Sequence, residues 1–288
     1  MGDKTKTLTF KELKKQANDI RVSIIKMVEA AGSGHPGGSL GLADIFTALY
    51  FDVMNCDPKN PDWGERDILL LSNGHCVPVQ YATMAHAGFF DTKELITLRK
   101  HKSRLQGHPE RHALPGLENT SGPLGCGLSQ ACGMALAMRM NKQTNRYIYV
   151  VMGDGELDEG NVWEAAMLAP KYNLNNIIGI VDRNNIQIDG PTENIMPLGD
   201  LKQKWEAFGW NAVDIDGNNI EAVISAIDMA KAVKEKPTVL IARTTPGKGV
   251  SFMENDYHWH GVAPNADQAK VALDDLHELG AKIESEHE

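Results

Sequence analysis

The sequence predicts an α/β protein, a parallel sheet covered by helices on both faces. Three observations carry this. The apolar runs Tyr147–Met152 and Ile177–Val181 have the length of buried strands. A helix-length segment separates them, which is the layout of a βαβ crossover. Downstream, strand-like and helix-like segments keep alternating, as a helix-covered parallel sheet requires.

The first helix is expected from near Thr9 to Ala31, where Leu13, Ala17, Ile20, Ile24, Met27 and Val28 recur at three- and four-residue spacing before Gly32 ends it. The glycine-rich stretch Gly32–Gly41 then reads as a loop between helices, and Leu42–Tyr50 as the next helical pattern. Asp67–Leu71 reads as a strand that delivers His75 at its carboxyl end through Ser72-Asn73-Gly74, on the sheet edge where ligands sit. Gly107–Gly127 is rich in glycine and proline and opens a small-residue helix, Leu128–Met140. The clearest unit follows: strand Arg146–Met152, turn Gly153-Asp154-Gly155, helix from about Glu159 to Tyr172, strand Asn176–Asp182. Beyond it lie the end of a helix at Trp205–Gly209, strand Asn211–Ile215, helix Ile220–Lys234 and strand Thr238–Arg243. The acidic segment Glu284–Glu288 reads as a loose tail.

The 288 residues suffice for a sizeable core and show no repeat or long linker, so residues 1–288 are expected to form one domain. A formal net charge of −9 excludes a general nucleic-acid or acidic-membrane surface. The apolar runs are too short to span a membrane. The four cysteines form no C-x-x-C pair and no secretory apolar segment precedes Phe10, which gives a cytoplasmic expectation.

Gly153-Asp154-Gly155 sets a carboxylate beside a free helix N-terminus, where backbone N–H groups and the helix dipole favour a diphosphate. Magnesium or calcium between the two wants several hard oxygens. The second strand ends at Asp182-Arg183-Asn184-Asn185 and runs on through Ile186 and Ile188, so an Asn side-chain carbonyl and a backbone carbonyl can complete the shell. Alone, such segments are ordinary turns. Together, with 28 residues between Gly155 and Asn184, they match the thiamine diphosphate signature, whereas the GxGxxxxG spacing departs from a dinucleotide fingerprint.

Four histidines sit next to glycine in loop motifs: His35, His75, His108 and His260. Converging, they can donate hydrogen bonds to hydroxyl, carbonyl or phosphate oxygens with little fixed charge. His86, His101, His112, His258, His277 and His287 lack such a setting and read as non-ligands. Gly122-Pro123-Leu124-Gly125 is either a helix-opening turn or a backbone platform for a flat heteroaromatic ring. Lys248 reads as a solvated loop lysine, with a phosphate-binding point charge as the alternative, and Glu159 and Glu164 as favourable charge at a helix N-terminus.

In combination and in order, the motifs Gly34-His35-Pro36-Gly37, Leu71-Ser72-Asn73-Gly74-His75, Gly107-His108-Pro109-Glu110, Gly122-Pro123-Leu124-Gly125, Gly153-Asp154-Gly155, Glu159-Gly160, Asp182 to Gly190 and His260-Gly261 resemble the transketolase family, specifically its diphosphate-binding domain, from the first helix to about Pro264. The resemblance implies metal ligation by Asp154, Asn184 and the Ile186 carbonyl. It implies cofactor contacts from His75, Gly122, Pro123, Leu124, Gly153, Gly155, Ile188 and His260. His35, His108 and His260 face the substrate, and Glu159 and Glu164 join an acidic network across a dimer. It further implies ketol transfer between sugar phosphates.

A complete transketolase continues into a pyrimidine domain and a third domain, for which this sequence has no counterpart. The resemblance is therefore to the N-terminal subunit of a split transketolase, working as an α2β2 assembly with a C-terminal subunit that carries the pyrimidine domain. Cys126 and Cys76 depart from the family pattern. The rivals are deoxyxylulose-phosphate synthase, the α subunit of a 2-oxo acid dehydrogenase, a split enzyme for a sulfonated or branched sugar, and a non-catalytic scaffold. His35, His108 and His260 favour transketolase over the first two.

Overall fold

The structure, a computed structural model, describes residues 8–143 and 145–286. The chain runs through α1 (Phe10–Ala31), α2 (Pro36–Gly41), α3 (Ala43–Ala48), β1 (Ile68–Leu71), α4 (Val77–His86), α5 (Cys126–Met140), β2 (Ile148–Gly153), α6 (Gly160–Lys171) and β3 (Ile177–Arg183). A small hairpin, β4 (Ile186–Gln187) and β5 (Gly190–Pro191), then leads through α7 (Thr192–Ile195) and α8 (Leu201–Ala207) to β6 (Asn211–Asp216), α9 (Ile220–Ala232), β7 (Thr238–Arg243) and α10 (Ala266–Ser285).

Five strands form one all-parallel sheet in the order β1-β2-β3-β7-β6. Its two faces follow from the period of two along each strand. Leu69, Leu71, Tyr149, Val151, Ile178, Ile180, Leu240 and Ala242 join a core with α1, α3, α4, α9 and α10. Their neighbours Leu70, Val150, Met152, Val181, Val239 and Ile241 join a second core with α5, α6, Trp205 and Trp210. The expected parallel sheet with helices on both faces is therefore the observed one.

The first helix begins where the sequence places it, because Thr9 and Glu12 form a reciprocal capping box, and it ends at Gly32 in the left-handed conformation. Three expectations need correction. The glycine-rich stretch is helical from Pro36 to Gly41: a Cβ at Gly37 would lie 3.0 Å from the Trp259 carbonyl oxygen and one at Gly41 2.9 Å from that of Thr245, so the glycines serve close backbone approach inside a helix. The pattern over Leu42–Tyr50 divides into α3 and a wider π-helical turn, Leu49–Val53. The acidic tail is ordered as far as it is described: Glu284 lies in the last turn of α10 and pairs with Lys15, and Glu286 pairs with Lys14, each at 2.7 Å. His287 and Glu288 lie outside the described residues. No helix among the described residues is long and apolar enough to cross a membrane.

Candidate active site

The carboxyl edge of the sheet gathers the predicted residues. His75 follows β1 in a 3-10 turn, His35 opens α2, and His260 follows a 3-10 turn, Tyr257–Trp259. The His35 ring lies 5.1 Å from His75, 5.7 Å from His260 and 6.4 Å from His108, centroid to centroid, and His75 lies 5.1 Å from His260. Four loops far apart in sequence thus deliver one imidazole cluster.

Electrostatics keeps that cluster neutral. Burial, reinforced by His260, Arg99 and His108, lowers His35 to about 4. Burial is also the leading cause that pushes His75 well below the usual imidazole value and lowers His108 and His260. A neutral imidazole offers one donor and one acceptor, which suits sugar hydroxyls better than a cation would. His108 lines a cleft of about 540 Å³ formed by residues between Gln106 and Ser121. The buried Nδ1 atoms of His35 and His260 and both amide atoms of Asn73 have no hydrogen-bond partner among the described residues, so this edge holds polar groups suited to a polar ligand.

At the next strand end Asp154 is buried, and burial raises it to about 6. Its Oδ1 accepts the Gly155 N–H at 2.8 Å, and its Oδ2 accepts the Asn185 N–H at 2.7 Å and Arg183 Nη1 at 3.0 Å. Counting two lone pairs per oxygen, Oδ1 keeps one for a cation. Asn184 Nδ2 donates to Asp182 at 2.8 Å, which fixes the amide so that its Oδ1, accepting the Ile186 N–H at 3.0 Å, also keeps a lone pair. A Cβ on Gly155 would lie 3.1 Å from the Gln187 side chain, so the turn closes tightly on the β4 strand. Asp154 and Asn184 thus stand at neighbouring strand ends, joined through the Asn185 and Ile186 N–H groups, and each keeps an oxygen lone pair of the kind a hard divalent cation takes. Among the described residues no three His, Cys, Asp or Glu side chains converge as a metal site.

Gly125 starts α5 in the left-handed conformation, its Cα beneath Glu159: a Cβ there would lie 2.9 Å from the Glu159 Cβ. Glu159 precedes α6 without capping it, and Glu164 is exposed one turn on. Ile188 is 64% exposed beside the hairpin. The structure does not bring Glu164 into the histidine cluster. Of the remaining histidines, His86 is tied to Gln16 and Ser23, and His258 to Asp256.

Sequence reasoning gave no role to several residues that build this edge. Asp182 is opposite Gly153 in the sheet register, is held by Thr244 and Asn184, and is raised by burial to about 7. Arg183 joins Asp154, Thr192 and Glu193. The predicted strand ends already placed Asp154 and Asp182 at one level, which was the available signal for the first. Arg183, whose partners come from separate segments, had none.

Comparison with known proteins agrees with this geometry. Residues 13–281 match the family model described as transketolase, thiamine diphosphate binding domain. The chain is 42% identical over 270 residues to a 6-deoxy-6-sulfo-D-fructose transketolase subunit of Clostridium sp. (strain MSTE9), covering 94% of this chain and 98% of that protein. It is 40% identical to one subunit of the apulose-4-phosphate transketolase of Phocaeicola vulgatus, covering 96% of this chain and 97% of that one. Human transketolase is 37% identical but spanned over only 42% of its length. A crystal structure of a Pichia stipitis transketolase mutant superposes with a TM-score of 0.87 at 34% identity, covering 96% of this chain and 44% of the other. The chain belongs to the transketolase family, as the thiamine diphosphate-binding part of an enzyme that transfers ketol groups.

Proposed function

We propose that this chain is the N-terminal subunit of a split transketolase, forming a single diphosphate-type domain, cytoplasmic, and active with a C-terminal partner that carries the pyrimidine domain. The observation that supports this is one of length. The chain spans 97–98% of two relatives named as transketolase subunits but 42% of a one-chain transketolase. In this reading two copies assemble with two partners as α2β2, the cofactor lying between a diphosphate domain and a pyrimidine domain. Glu159 and Glu164 would serve the contact between the two active sites.

Asp154, Asn184 and the Ile186 carbonyl would hold magnesium, with calcium the alternative, since each keeps or can offer an oxygen lone pair on one side of the Gly153-Asp154-Gly155 turn. His75, Gly153 and Gly155 would hold the diphosphate, and Gly122, Pro123, Leu124, Ile188 and His260 the rest of the thiamine. Bound there, the cofactor supplies the nucleophilic carbon and the electron sink that carbon–carbon cleavage of a ketose needs. The chain's own part is orientation and proton traffic. His35, His108 and His260, kept neutral by burial, orient the donor's hydroxyls and exchange protons with them at Nδ1 or Nε2. The reaction is transfer of a two-carbon ketol unit from a ketose phosphate to an aldose phosphate.

A second reading, a sulfonated or branched sugar in place of the common ketose phosphates, is favoured by the names of the two relatives at 42% and 40% identity. Ketol transfer from xylulose 5-phosphate, measured with the two subunits together, tests the first reading. A clear preference for a sulfonated or branched donor establishes the second. Turnover by the single chain, or pyruvate decarboxylation in place of ketol transfer, overturns the split-transketolase reading. Asp154→Ala is expected to abolish thiamine diphosphate binding at micromolar concentration, and undiminished binding in a calorimetric titration removes the metal assignment.

A further inference from the structure

Glu156 is a buried carboxylate, 2% exposed, to which the reading above gives no task. It pairs with no cation among the described residues. Three donors from three separate segments meet it instead: the Ser72 hydroxyl after β1 and the Gly125 N–H at 2.6 Å share Oε1, and the Gly153 N–H at 2.9 Å reaches Oε2. The Ser72 oxygen in turn accepts the Gly127 N–H at 2.9 Å. One side chain therefore ties the end of β1 and the first turn of α5 to the end of β2.

Taking a carboxylate out of water is costly, and only charge-assisted hydrogen bonds of this kind offset it. The two sides of the tie are unequally supported without it. Gly153 is also held in the sheet by its register with Asp182, and the Asp154 N–H donates to the Asp182 carbonyl at 3.2 Å. Gly125 stands in the left-handed conformation at φ 80° with no side-chain cap. The carboxylate therefore matters most to the Gly122–Gly125 turn.

We propose that Glu156 is a positioning residue that sets the distance between the Gly122-Pro123-Leu124-Gly125 turn and the Gly153-Asp154-Gly155 turn, so that a ligand gripped at both ends meets the two grips in register. Resting on the cofactor reading, it assigns the aminopyrimidine to the first turn and the diphosphate to the second. For such a ligand the second contact is intramolecular, and its effective concentration depends on the spacing being held. A one-ended ligand gains nothing from that spacing.

The test is calorimetric titration of the two-subunit enzyme with thiamine diphosphate and, separately, with inorganic diphosphate, both with magnesium, for wild type, Glu156→Gln and Ser72→Ala. In Glu156→Gln an amide NH2 faces a donor, so thiamine diphosphate should bind about tenfold or more weakly, as expected for loss of a hydrogen bond to a charged group, while inorganic diphosphate changes less than about threefold. Ser72→Ala keeps the carboxylate and removes one donor. It should shift the same ratio in the same direction by a smaller factor, and it decides the matter where Glu156→Gln does not fold. Parallel weakening of both ligands makes Glu156 a structural residue only and overturns the proposal, as does unchanged binding. Failure of wild type to bind thiamine diphosphate overturns the cofactor reading itself, and the inference with it.

Discussion

Acidification from about pH 7.5 to about pH 5 should cost the wild-type chain about 2 kcal/mol more stability than it costs a His35→Asn variant. Burial first, then His260, Arg99 and His108, lowers His35 from 6.5 to about 4. Between those values the unfolded chain binds a proton that the native one does not, so stability falls as pH falls from the unfolded value toward the folded one. Above the unfolded value neither state is protonated and His35 contributes no pH dependence. At about pH 5 the proton-binding factors of the two states differ about thirty-fold, which converts to about 2 kcal/mol, an upper figure because the ring is partly solvated. Burial raises Asp154 to about 6 and Asp182 to about 7, and these groups act in the opposite sense, the native state keeping protons that the unfolded chain releases. Total stability is therefore a poor readout, whereas the difference between wild type and variant cancels the carboxylates. Urea unfolding of both proteins at the two pH values, followed by circular dichroism, measures it. Stability–pH curves that stay parallel within about 0.5 kcal/mol would falsify the claim that the fold holds His35 neutral.

Gly125→Ala should destabilise by about 2 kcal/mol, since the residue sits at φ 80° and its Cβ would clash with the Asn161 side chain and lie 2.9 Å from the Glu159 Cβ; a wild-type melting temperature contradicts this. Asp44→Ala leaves the Arg21 guanidinium, now 2.5 Å from that carboxylate and buried with it, without its anion. A loss of about 3–5 kcal/mol in denaturant unfolding is expected, and a loss under about 1 kcal/mol refutes it. Thr9→Ala removes the capping box of α1 and should cost about 1 kcal/mol, read from the same unfolding curves.

What the sequence discloses here is what local patterns encode. The strands declare themselves by short apolar runs, and their ends by Gly, Asp and Asn, so the sheet edge and the turn at Gly153-Asp154-Gly155 are legible from sequence. The four histidines are legible because each stands beside glycine in a loop. Helix α4 is not, because residues Val77 to Ala85 are all buried and leave no polar face to give a stripe. Helix α2 is concealed by its own glycines, which signal a loop by propensity yet are required by the approach of Trp259 and Thr245. Helix α10 does show the spacing Ala269, Ala272, Leu276, Ile283 and a capping box at Asn265, so its omission is a signal overlooked. Glu156 and Arg183 belong to a different class. Glu156 meets Ser72 across 84 residues, and Arg183 meets Thr192, Glu193 and Asp154 in two different segments, contacts that no local periodicity encodes.

The arrangement of these partners bears on how half an active site could persist on a separate chain, as the split-transketolase proposal requires. Every side chain proposed to hold the metal is oriented from within this chain. Asp154 is fixed by Gly155, Asn185 and Arg183, Asn184 by Asp182, and Asp182 by Thr244. By contrast, the residues assigned to the far side of the cofactor or to a neighbouring subunit, Ile188, Glu159 and Glu164, are exposed and make few or no fixed side-chain bonds. A boundary drawn there would cut no buried hydrogen-bond network among the described residues, so in the proposed assembly the internal half would arrive preorganised and the ordering cost would fall on the exposed half. Under the split-transketolase proposal, the boundary between subunits would fall between residues that the fold already holds and those that only an assembled enzyme would hold.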